Sequence, residues 1–358
     1  MVSDSLREVV YQKEFASKKY CILGADIGGT NSNFGFFELR GTQPALLLSV
    51  HAQSQTVTDF AQLTKSVLQY VHEKHGIIIS DACFGVAGMV NPQRDYVKPT
   101  NLTVPVDAQA IRAQTGLNSL ALINDFEAVG LGIDLLDPAS IITINAGMPH
   151  LNAQKACIGA GTGMGKAALL WNNHFKRYLP FASEGGHSDC SAQTLREFAL
   201  FEYINKLKEH SCPVSWEDVL SGRGITRIYQ FLGTQKQYDD TAISVEIAAT
   251  GFKADLISWY AFKDERCFDT FTLYTIFYAR CAKNFVLDTL ALNGLYIAGG
   301  IAAKNVAMFK EPAFMQEFIK CGKQSELLQN VPVYVVADYN VSLYGAAAFI
   351  QLSQQGIL

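Results

Sequence analysis

Two glycine clusters, each directly after a short apolar run, are the residues of this sequence best suited to chemistry. The first is 25–31, Ala-Asp-Ile-Gly-Gly-Thr-Asn, and the second is 159–165, Gly-Ala-Gly-Thr-Gly-Met-Gly. Glycine lets the main chain turn tightly and approach an anion closely, and successive N–H groups can form an anion-binding concavity. The same residues also occur in β-hairpin turns that bind nothing. The pair, with an acid inside the first cluster, favours a site that holds a phosphate chain.

Neither cluster matches the commonest nucleotide-binding motifs. A Walker A loop ending at Gly165-Lys166 would need glycine at position 160 and serine or threonine at position 167, but both are alanine. A dinucleotide fingerprint that starts at Gly159 would need glycine or alanine where Met164 stands. These mismatches argue against P-loop kinases and dehydrogenases, and they favour a cleft-binding nucleotide site of another type.

The pair Asn124-Asp125 ends an apolar strand-like run and precedes a helix-like segment. A carboxylate at the C-terminal end of a strand lies where ligands usually bind in an α/β sheet. It could accept the proton of an attacking hydroxyl group. The alternative is that Asp125 only caps the helix that follows, and local helix chemistry alone slightly favours this cap.

Two further segments carry acids beside turns. In residues 184–187, Glu184 and His187 flank two glycines, so both side chains could bond the hydroxyls of a polyol. His187 and Cys190 have the spacing of metal ligands, but no second cysteine pair completes a tetrahedral zinc site. Glu217 follows Ser215, and these residues alone predict a helix start capped by Ser215.

Length and composition limit the class of protein. The 358 residues predict two domains or lobes, because a single core seldom grows this large. The composition, 49% hydrophobic and 17% charged, is that of a globular protein. A net charge of −4 argues against a dedicated nucleic-acid binder. No apolar run approaches the roughly 18 residues that span a bilayer, so neither nucleic acid nor a membrane is expected as a partner.

The N-terminal segment and the cysteines bear on the cellular compartment. Residues 1–20 lack the apolar core of a signal peptide, so we expect a short helix or a mobile extension there. The eight cysteines are spread through the chain without a CxxC motif, and several stand in apolar strand-like runs. Thiols so placed behave as small hydrophobes and suit a reducing compartment. We therefore expect a cytoplasmic protein.

Alternating strands and helices must position these residues, and this alternation indicates α/β layers. The absence of a low-complexity linker favours two lobes that share a cleft. The long apolar region 268–292 could supply a dimer face, although a buried helix fits it better. The predicted helices are 59–75, 106–115, 193–208, 268–292 and 342–351. The predicted strands, besides those on either side of the first cluster, are 77–79 with 82–88, 120–123, 141–145, 156–158, 295–298 and 333–336.

In their order along the chain, these segments resemble those of bacterial-type glucokinases, in the superfamily that joins sugar kinases, heat-shock chaperone ATPases and actin. The resemblance runs from about residue 20 to the C-terminus. Residues 25–31 and 159–165 resemble the two phosphate motifs, and 122–126 resembles the catalytic segment. Residues 98–102, 184–187 and 217–222 resemble sugar-contacting segments, and 297–301 resembles the adenosine motif.

The resemblance implies a two-lobed actin-like ATPase fold, of the ribonuclease H-like α/β type, with a central cleft for nucleotide and sugar. It implies an N-terminal extension over 1–19 and a small lobe over 20–124 that the C-terminal helix 341–358 completes. The large lobe would then span 125–340.

The implied activity is ATP-dependent phosphorylation of the 6-hydroxyl of glucose, an entry step of glycolysis, with Mg²⁺ and with Asp125 as the general base. Asp26 would act near the metal through water, without direct ligation. The implied sugar-binding residues are Asn101, Asn124, Asp125, Glu184, His187 and Glu217. The implied nucleotide-binding residues are Asp26, Gly28, Gly29, Thr30, Asn31, Gly161, Thr162, Gly163, Gly299 and Gly300.

Departures from related proteins argue against two classes of protein. Residues 188–191 lack the cysteine-rich zinc loop found in a related branch of sugar kinases and repressors, which argues against that branch. No helix-turn-helix segment fits before residue 20, which argues against a sugar-responsive repressor. The sequence also fits a kinase for another hexose or an N-acyl amino sugar, and a non-enzymatic sugar or ATP sensor of the same fold. It leaves open polyphosphate or ADP as the donor and a homodimer as the assembly.

Overall fold

The computed structural model describes residues 6–12, 21–40, 43–208, 212–235 and 238–358. This part of the chain divides into two compact units. The first unit contains the described residues up to Ser140 together with Leu169–Ala182 and Asp338–Leu358. The second contains Ile141–Ala168 and the described residues of Ser183–Ala337.

The strands and helices of the described residues alternate along the chain. The strands are β1 (Arg7–Val10), β2 (Cys21–Ile27), β3 (Asn31–Arg40), β4 (Gln43–Gln53), β5 (Ile79–Val86), β6 (Tyr96–Val97), β7 (Val106–Asp107), β8 (Ser119–Asn124), β9 (Ile141–Asn145), β10 (Lys155–Ala160), β11 (Met164–Asn172), β12 (Arg177–Ser183), β13 (Leu295–Ala298) and β14 (Val333–Val336). The α-helices are α1 (Phe60–His75), α2 (Ala108–Thr115), α3 (Asp125–Ile133), α4 (Leu195–Lys206), α5 (Trp216–Val219), α6 (Gly222–Gln235), α7 (Ala242–Ala249), α8 (Ala254–Trp259), α9 (Glu265–Thr289), α10 (Gly300–Lys304), α11 (Val306–Lys310), α12 (Pro312–Phe318), α13 (Ser325–Gln329) and α14 (Val341–Gln354).

A six-stranded sheet in the order β1-β4-β3-β2-β5-β8 forms the centre of the first unit. The strands β2, β5 and β8 are parallel, whereas β1, β4 and β3 are joined by antiparallel pairing. Side chains alternate between the two faces of a strand. Accordingly, Leu23 belongs to the cluster that contains residues of α1 and α2, and Ile22 belongs to the cluster that contains residues of α3 and α14.

The helix α1 shows how the local sequence sets an element of this unit. The Asp59 carboxylate accepts the N–H groups of Ala61 and Gln62, and Gly76 ends the helix with a φ of 67°. Such a cap satisfies backbone donors that have no partner inside the helix, and glycine adopts a positive φ without steric cost. The helix predicted over 59–75 is therefore confirmed within one residue.

The predicted boundary between the lobes at Asn124 and Asp125 is wrong, because α3 belongs to the first unit. A Cβ atom on Gly345 would lie 1.6 Å from the carbonyl oxygen of Ala128, and one on Gly132 would lie 1.9 Å from that of Val341. Two glycines thus allow the backbones of α3 and α14 to touch. This close packing keeps α3 with the C-terminal helix, whose residues the sequence also assigned to the first lobe.

Within the N-terminal segment, residues 7–10 form an edge strand, and not the short helix or mobile extension that we expected there. Strand β1 pairs antiparallel with β4, with Arg7 opposite His51 and Val10 opposite Leu48. Glu8 on this strand forms an ion pair with Lys74 and lies within hydrogen-bond distance of His75, both on α1. Residues 1–5 and 13–19 of the predicted extension lie outside the described residues.

In the second unit, β10, β13, β14 and β9 are consecutive neighbours in a sheet, and β10, β13 and β14 are parallel. The long helix α9 lies in the core of this unit, with Phe271, Tyr274 and Phe277 fully buried. The prediction of a buried helix for this apolar region is therefore confirmed. Within the described residues, no helix has both the length and the apolar character needed to cross a membrane.

Candidate active site

The first glycine cluster forms the turn between β2 and β3. The N–H of Gly28 donates to the carbonyl of Asn31 at 3.0 Å, and the carbonyl of Thr30 accepts the N–H of Ser54 at 3.0 Å. The cluster is therefore a hairpin turn, which the sequence left open as the alternative to an anion-binding loop. The two interpretations are compatible, because a tight glycine turn exposes main chain that an anion can approach.

Asp26 lies one residue before the end of β2, and its carboxylate is bonded by two neutral side chains. Ser342 Oγ, on α14, donates to Asp26 Oδ2 at 3.0 Å, and Asn33 also bonds the carboxylate. Burial raises the pKa of Asp26, and these two hydrogen bonds offset part of that effect. The sequence did not indicate Ser342, because no local pattern shows that α14 begins beside β2.

The cap of α3 is Asn124, and Asp125 is the first residue of the helix. Asn124 Oδ1 accepts the N–H groups of Phe126 at 2.9 Å and Glu127 at 3.3 Å, and its Nδ2 donates to the carbonyl of Gly88 at 3.3 Å. The alternative that Asp125 serves as the cap is therefore wrong. Asp125 Oδ1 accepts the N–H of Phe126 at 3.0 Å, so the carboxylate lies at the helix N-terminus, where the helix dipole favours a negative charge.

The strand register brings Asp26 and Asp125 to the same edge of the first sheet. Asp26 is aligned with Gly85 on β5, and Gly85 with Ile123 on β8, two residues before Asp125. Two strand spacings separate β2 from β8, so the Cα atoms of Asp26 and Ile123 are about 10 Å apart. A Cβ atom on Gly85 would lie 3.0 Å from the Cβ of Ala128, so glycine there lets α3 approach the sheet.

The segment that contains Asn101 is tied to this edge through its backbone. The N–H of Thr100 donates to the carbonyl of Ala87, next to the end of β5. Asn101 follows in a turn and is partly exposed. The turn before β6 is held at Arg94, whose guanidinium donates two hydrogen bonds to the buried carboxylate of Glu127 on α3. Neither Arg94 nor Glu127 was singled out by the sequence, because their pairing is long-range.

The second glycine cluster forms the turn between β10 and β11. The N–H of Gly161 donates to the carbonyl of Gly163 at 2.9 Å, and the carbonyl of Gly161 accepts the N–H of Gly222 at 3.0 Å. The exposed Thr162 lies at the tip of this turn, so this cluster is also a hairpin turn. Its hydrogen bond to Gly222 joins it to the start of α6.

The adenosine-like motif lies directly beside this second turn. Gly159 pairs with Ala298 across the parallel strands β10 and β13. Gly299 has a φ of 89°, and a Cβ atom there would lie 2.6 Å from the carbonyl oxygen of Ala160. Only glycine fits both the backbone conformation and this close approach. The second unit therefore brings Gly299, and with it Gly300 at the start of α10, next to Gly161.

Glu217 contacts the residue that follows the second turn. Its buried carboxylate accepts the N–H of Met164 at 3.1 Å and a hydrogen bond from Arg223 at 3.2 Å. Ser215 and Asp218 cap each other's backbone at the start of α5, so the predicted cap at Ser215 is confirmed. The position of Glu217 is thus fixed from both sides, by the helix start and by β11.

Glu184 and His187 lie on a short 3₁₀ turn of the second unit. Their side chains are about half exposed, 50% and 45%, with Nε2 and Oε2 3.8 Å apart. A Cβ atom on Gly186 would lie 1.8 Å from the carbonyl oxygen of Met164, so this turn also packs on the start of β11. Glu184, His187 and Glu217 are therefore grouped around Met164. Among the described residues, no group of three or more histidine, cysteine, aspartate or glutamate side chains could hold a metal ion.

Comparison with known proteins indicates the same family as the sequence motifs. The model of the glucokinase family matches residues 23–353. A glucokinase of Nostoc punctiforme is 32% identical over 340 residues, which are 91% of this chain and 97% of that protein. The crystal structure of a glucokinase from an Antarctic psychrotroph has a TM-score of 0.71 at 27% identity, covering 92% of this chain and 98% of that one.

A more distant solved structure shares the fold. It is the complex of a ROK family glucokinase from Streptomyces griseus with glucose and AMPPNP, with a TM-score of 0.66 at 18% identity, covering 93% of this chain and 99% of that one. The α/β fold and the match to the family model define a sugar kinase. The chain belongs to the glucokinase family, whose reaction is the ATP-dependent phosphorylation of glucose.

Proposed function

We propose that this chain transfers the γ-phosphoryl group of ATP to the 6-hydroxyl of glucose, with Asp125 as the general base. The observation that supports this role best is the position of Asp125 as the first residue of α3, at the sheet edge where β2, β5 and β8 end. In the proposed step, the bond between O6 and the γ-phosphorus forms and the bond from the γ-phosphorus to the leaving ADP oxygen breaks. The proton of the 6-hydroxyl goes to the Asp125 carboxylate.

We propose that the polar residues around these elements orient the sugar. Asn124 Oδ1 and one amide hydrogen are used by the helix cap and by Gly88. An amide group carries two donor hydrogens, so the other can donate to a sugar hydroxyl. Asn101 on the first unit, and Glu184, His187 and Glu217 on the second, have the polar groups that a ring of hydroxyls needs. A hydroxyl in the wrong configuration would leave one of these groups unpaired, at a cost of about 1–3 kcal/mol.

We propose that the two glycine turns hold the phosphates of ATP and that Asp26 serves the Mg²⁺ ion. The nucleotide-binding residues would be Gly28, Gly29, Thr30, Asn31, Gly161, Thr162 and Gly163, with Gly299 and Gly300 toward adenosine. The partly buried Asp26 carboxylate suits Mg²⁺, because oxygen is the ligand this ion prefers and the carboxylate's partners Ser342 and Asn33 are neutral. Bound Mg²⁺ usually keeps several of its water ligands, so the Asp26 carboxylate would contact the ion through one of these waters. When bound, the ion neutralises charge on the transferring phosphates.

A coupled assay of glucose 6-phosphate formation with ATP and Mg²⁺ tests this function. We expect glucose to have the highest kcat/KM in a panel that includes mannose, galactose and N-acetylglucosamine, and ATP to exceed ADP and polyphosphate as donor. Preference for another sugar would overturn the substrate, and preference for another donor would overturn the role of ATP. Absence of phosphoryl transfer to every sugar would overturn the enzymatic function.

We also propose that the reaction takes place in the cytoplasm. Cys83 and Cys157 are fully buried in apolar surroundings, and burial raises the pKa of both thiols. Such thiols are inert small hydrophobes, as expected of a protein that works in a reducing compartment.

A further inference from the structure

A chain of polar side chains leads from Asp26 across the first sheet to the N-terminal segment. Asn33 bonds the Asp26 carboxylate, and Asn33 Oδ1 lies 2.7 Å from His51 Nδ1. His51 Nε2 lies 2.8 Å from Ser49 Oγ, and Ser49 Oγ lies 3.4 Å from the hydroxyl of Tyr11. The three central residues of this chain lie on the adjacent strands β3 and β4.

The hydrogen bonds in this chain of polar side chains have a defined direction. A carboxylate only accepts, so Asn33 must donate to Asp26 through its amide nitrogen. Asn33 Oδ1 then accepts from His51, which requires a hydrogen on Nδ1. In a neutral imidazole the other ring nitrogen is an acceptor, so His51 Nε2 accepts the hydroxyl of Ser49. An ionised Asp26 and a neutral His51 with its hydrogen on Nδ1 are therefore consistent with all of these hydrogen bonds.

The N-terminal strand helps to keep His51 neutral. Burial lowers the pKa of His51, and the positive charge of Arg7 lowers it further. Arg7 lies directly opposite His51 in the pairing of β1 with β4. Since a lowered pKa leaves the imidazole uncharged near pH 7, Nε2 keeps the lone pair that Ser49 needs. Arg7 and Tyr11 both precede the stretch 23–353 that the family model matches.

We infer that His51 is a positioning residue that holds Asp26 through the amide of Asn33, with the N-terminal strand as its support. The relevance of this chain of polar side chains to catalysis rests on the proposed function of Asp26 near the nucleotide phosphates. Without the Nδ1 hydrogen bond, the Asn33 amide loses its restraint on the His51 side, and its N–H can rotate away from the carboxylate. Asp26 would then lose a donor that holds it in the position that phosphoryl transfer requires.

Two substitutions of His51 separate this role from mere packing. The amide nitrogen of asparagine takes about the place of Nδ1, and that of glutamine about the place of Nε2. His51→Asn can therefore still donate to Asn33, whereas His51→Gln retains only the side toward Ser49. We expect His51→Gln to lower kcat/KM for MgATP about tenfold, the lower range for an outer-shell partner, while the KM for glucose changes less than about twofold.

His51→Asn should restore kcat/KM for MgATP to within about threefold of the original chain, since it keeps the bond to Asn33. His75→Gln is the matched control, because the glutamine amide nitrogen takes about the place of Nε2 and can still donate to Glu8, so the N-terminal strand stays held, and His75 is not part of the chain of side chains to Asp26. It should leave kcat/KM unchanged even if the melting temperature falls. Equal losses in the Asn and Gln variants of His51, or a loss in His75→Gln, would overturn the inference.

Nuclear magnetic resonance tests the hydrogen-bond pattern without any activity. In protein labelled with ¹⁵N-histidine, the His51 signals are identified by their absence in His51→Gln. Long-range ¹H–¹⁵N spectra at pH 7 should show a neutral ring with its hydrogen on Nδ1. A ring protonated on Nε2 alone would overturn the inference. A missing kinase activity with the expected ring state would instead overturn the proposed function and leave the polar chain standing.

Discussion

At the residue scale, Asn124 and Asp125 divide two tasks that the sequence could not assign. Both residue types are good N-caps. The backbone decides between them, because Asn124 has extended dihedral angles, φ −65° and ψ 146°, and Asp125 is already helical. The cap therefore uses the side-chain oxygen of Asn124, and the Asp125 carboxylate remains at the start of the helix. The sequence identified the pair as chemically important, and only the three-dimensional path of the chain could show which residue caps.

The cap can be tested by replacing Asn124. Asn124→Asp retains an oxygen for the N–H groups of Phe126 and Glu127 but loses the donor to Gly88. We expect it to keep most of the stability, whereas Asn124→Ala should lower the free energy of unfolding by about 1 kcal/mol, and up to about 2 kcal/mol, as for other lost caps. Urea unfolding measures this difference.

Asp59→Ala is the matched control for Asn124→Ala, because it removes the cap of α1 and leaves the sheet edge intact. Both alanine variants should lose comparable stability, but only the change at Asn124 should lower kcat for glucose phosphorylation. If Asp59→Ala lowered kcat as strongly, the cap at Asn124 would have no special part in positioning Asp125.

At the element scale, the contact between α3 and α14 sets which helices belong to the first unit. The sequence indicated that the small-residue helix near the C-terminus packs back on the first lobe. It did not indicate that α3 joins it, because Gly132 and Gly345 stand more than two hundred positions apart and each looks like an ordinary helical glycine. Periodicity shows which face of a helix is apolar, but not which helix it meets.

Gly345→Ala tests this packing. The added Cβ would lie 1.6 Å from the carbonyl oxygen of Ala128, so the two backbones must move apart. We expect a loss of about 3 kcal/mol or more in the free energy of unfolding, the upper range for overpacking. Ser353→Ala, at an exposed position of the same helix, should change it by less than about 0.5 kcal/mol. Equal effects of the two variants in urea unfolding would contradict the close contact.

Asp218, at the start of α5, makes the stability of the second unit depend on pH. Burial alone would raise the pKa of this carboxyl, but hydrogen bonds from Lys208, Ser215 and Arg227 lower it below its usual value. A carboxyl with a lowered pKa stabilises the fold above the unfolded pKa, about 4, and this contribution is lost as the pH falls through the folded value.

Asp218→Asn should therefore be less stable than the original chain at pH 7, and the difference should shrink as the pH falls from about 5 to about 3. Urea unfolding across this range measures the difference. Asp255→Asn is the control, because its ion pair with Lys304 is exposed. A difference for Asp218→Asn that stays constant with pH would contradict the role of its lowered pKa.

At the scale of the whole molecule, the order of the motifs along the sequence indicated the family better than any single motif did. Composition predicted a globular chain, length predicted two parts, and the alternation of strands and helices predicted α/β layers. The strands predicted at 141–145, 295–298 and 333–336 have the same bounds in the structure. The family followed from the order of the motifs. The edge strand β1 was missed, because four residues at a sheet edge have no periodicity that distinguishes them from an extension.

The account depends most directly on Asp125 as the general base. The decisive measurement is kcat for glucose 6-phosphate formation by Asp125→Ala, beside Asp134→Ala at the other end of α3, with the melting temperature of each. We predict a loss of at least roughly a hundredfold for Asp125→Ala, the lower range for removal of a general base, with kcat unchanged in Asp134→Ala. A folded Asp125→Ala variant that keeps kcat within about tenfold of the original chain, less than general-base catalysis contributes, would contradict the account.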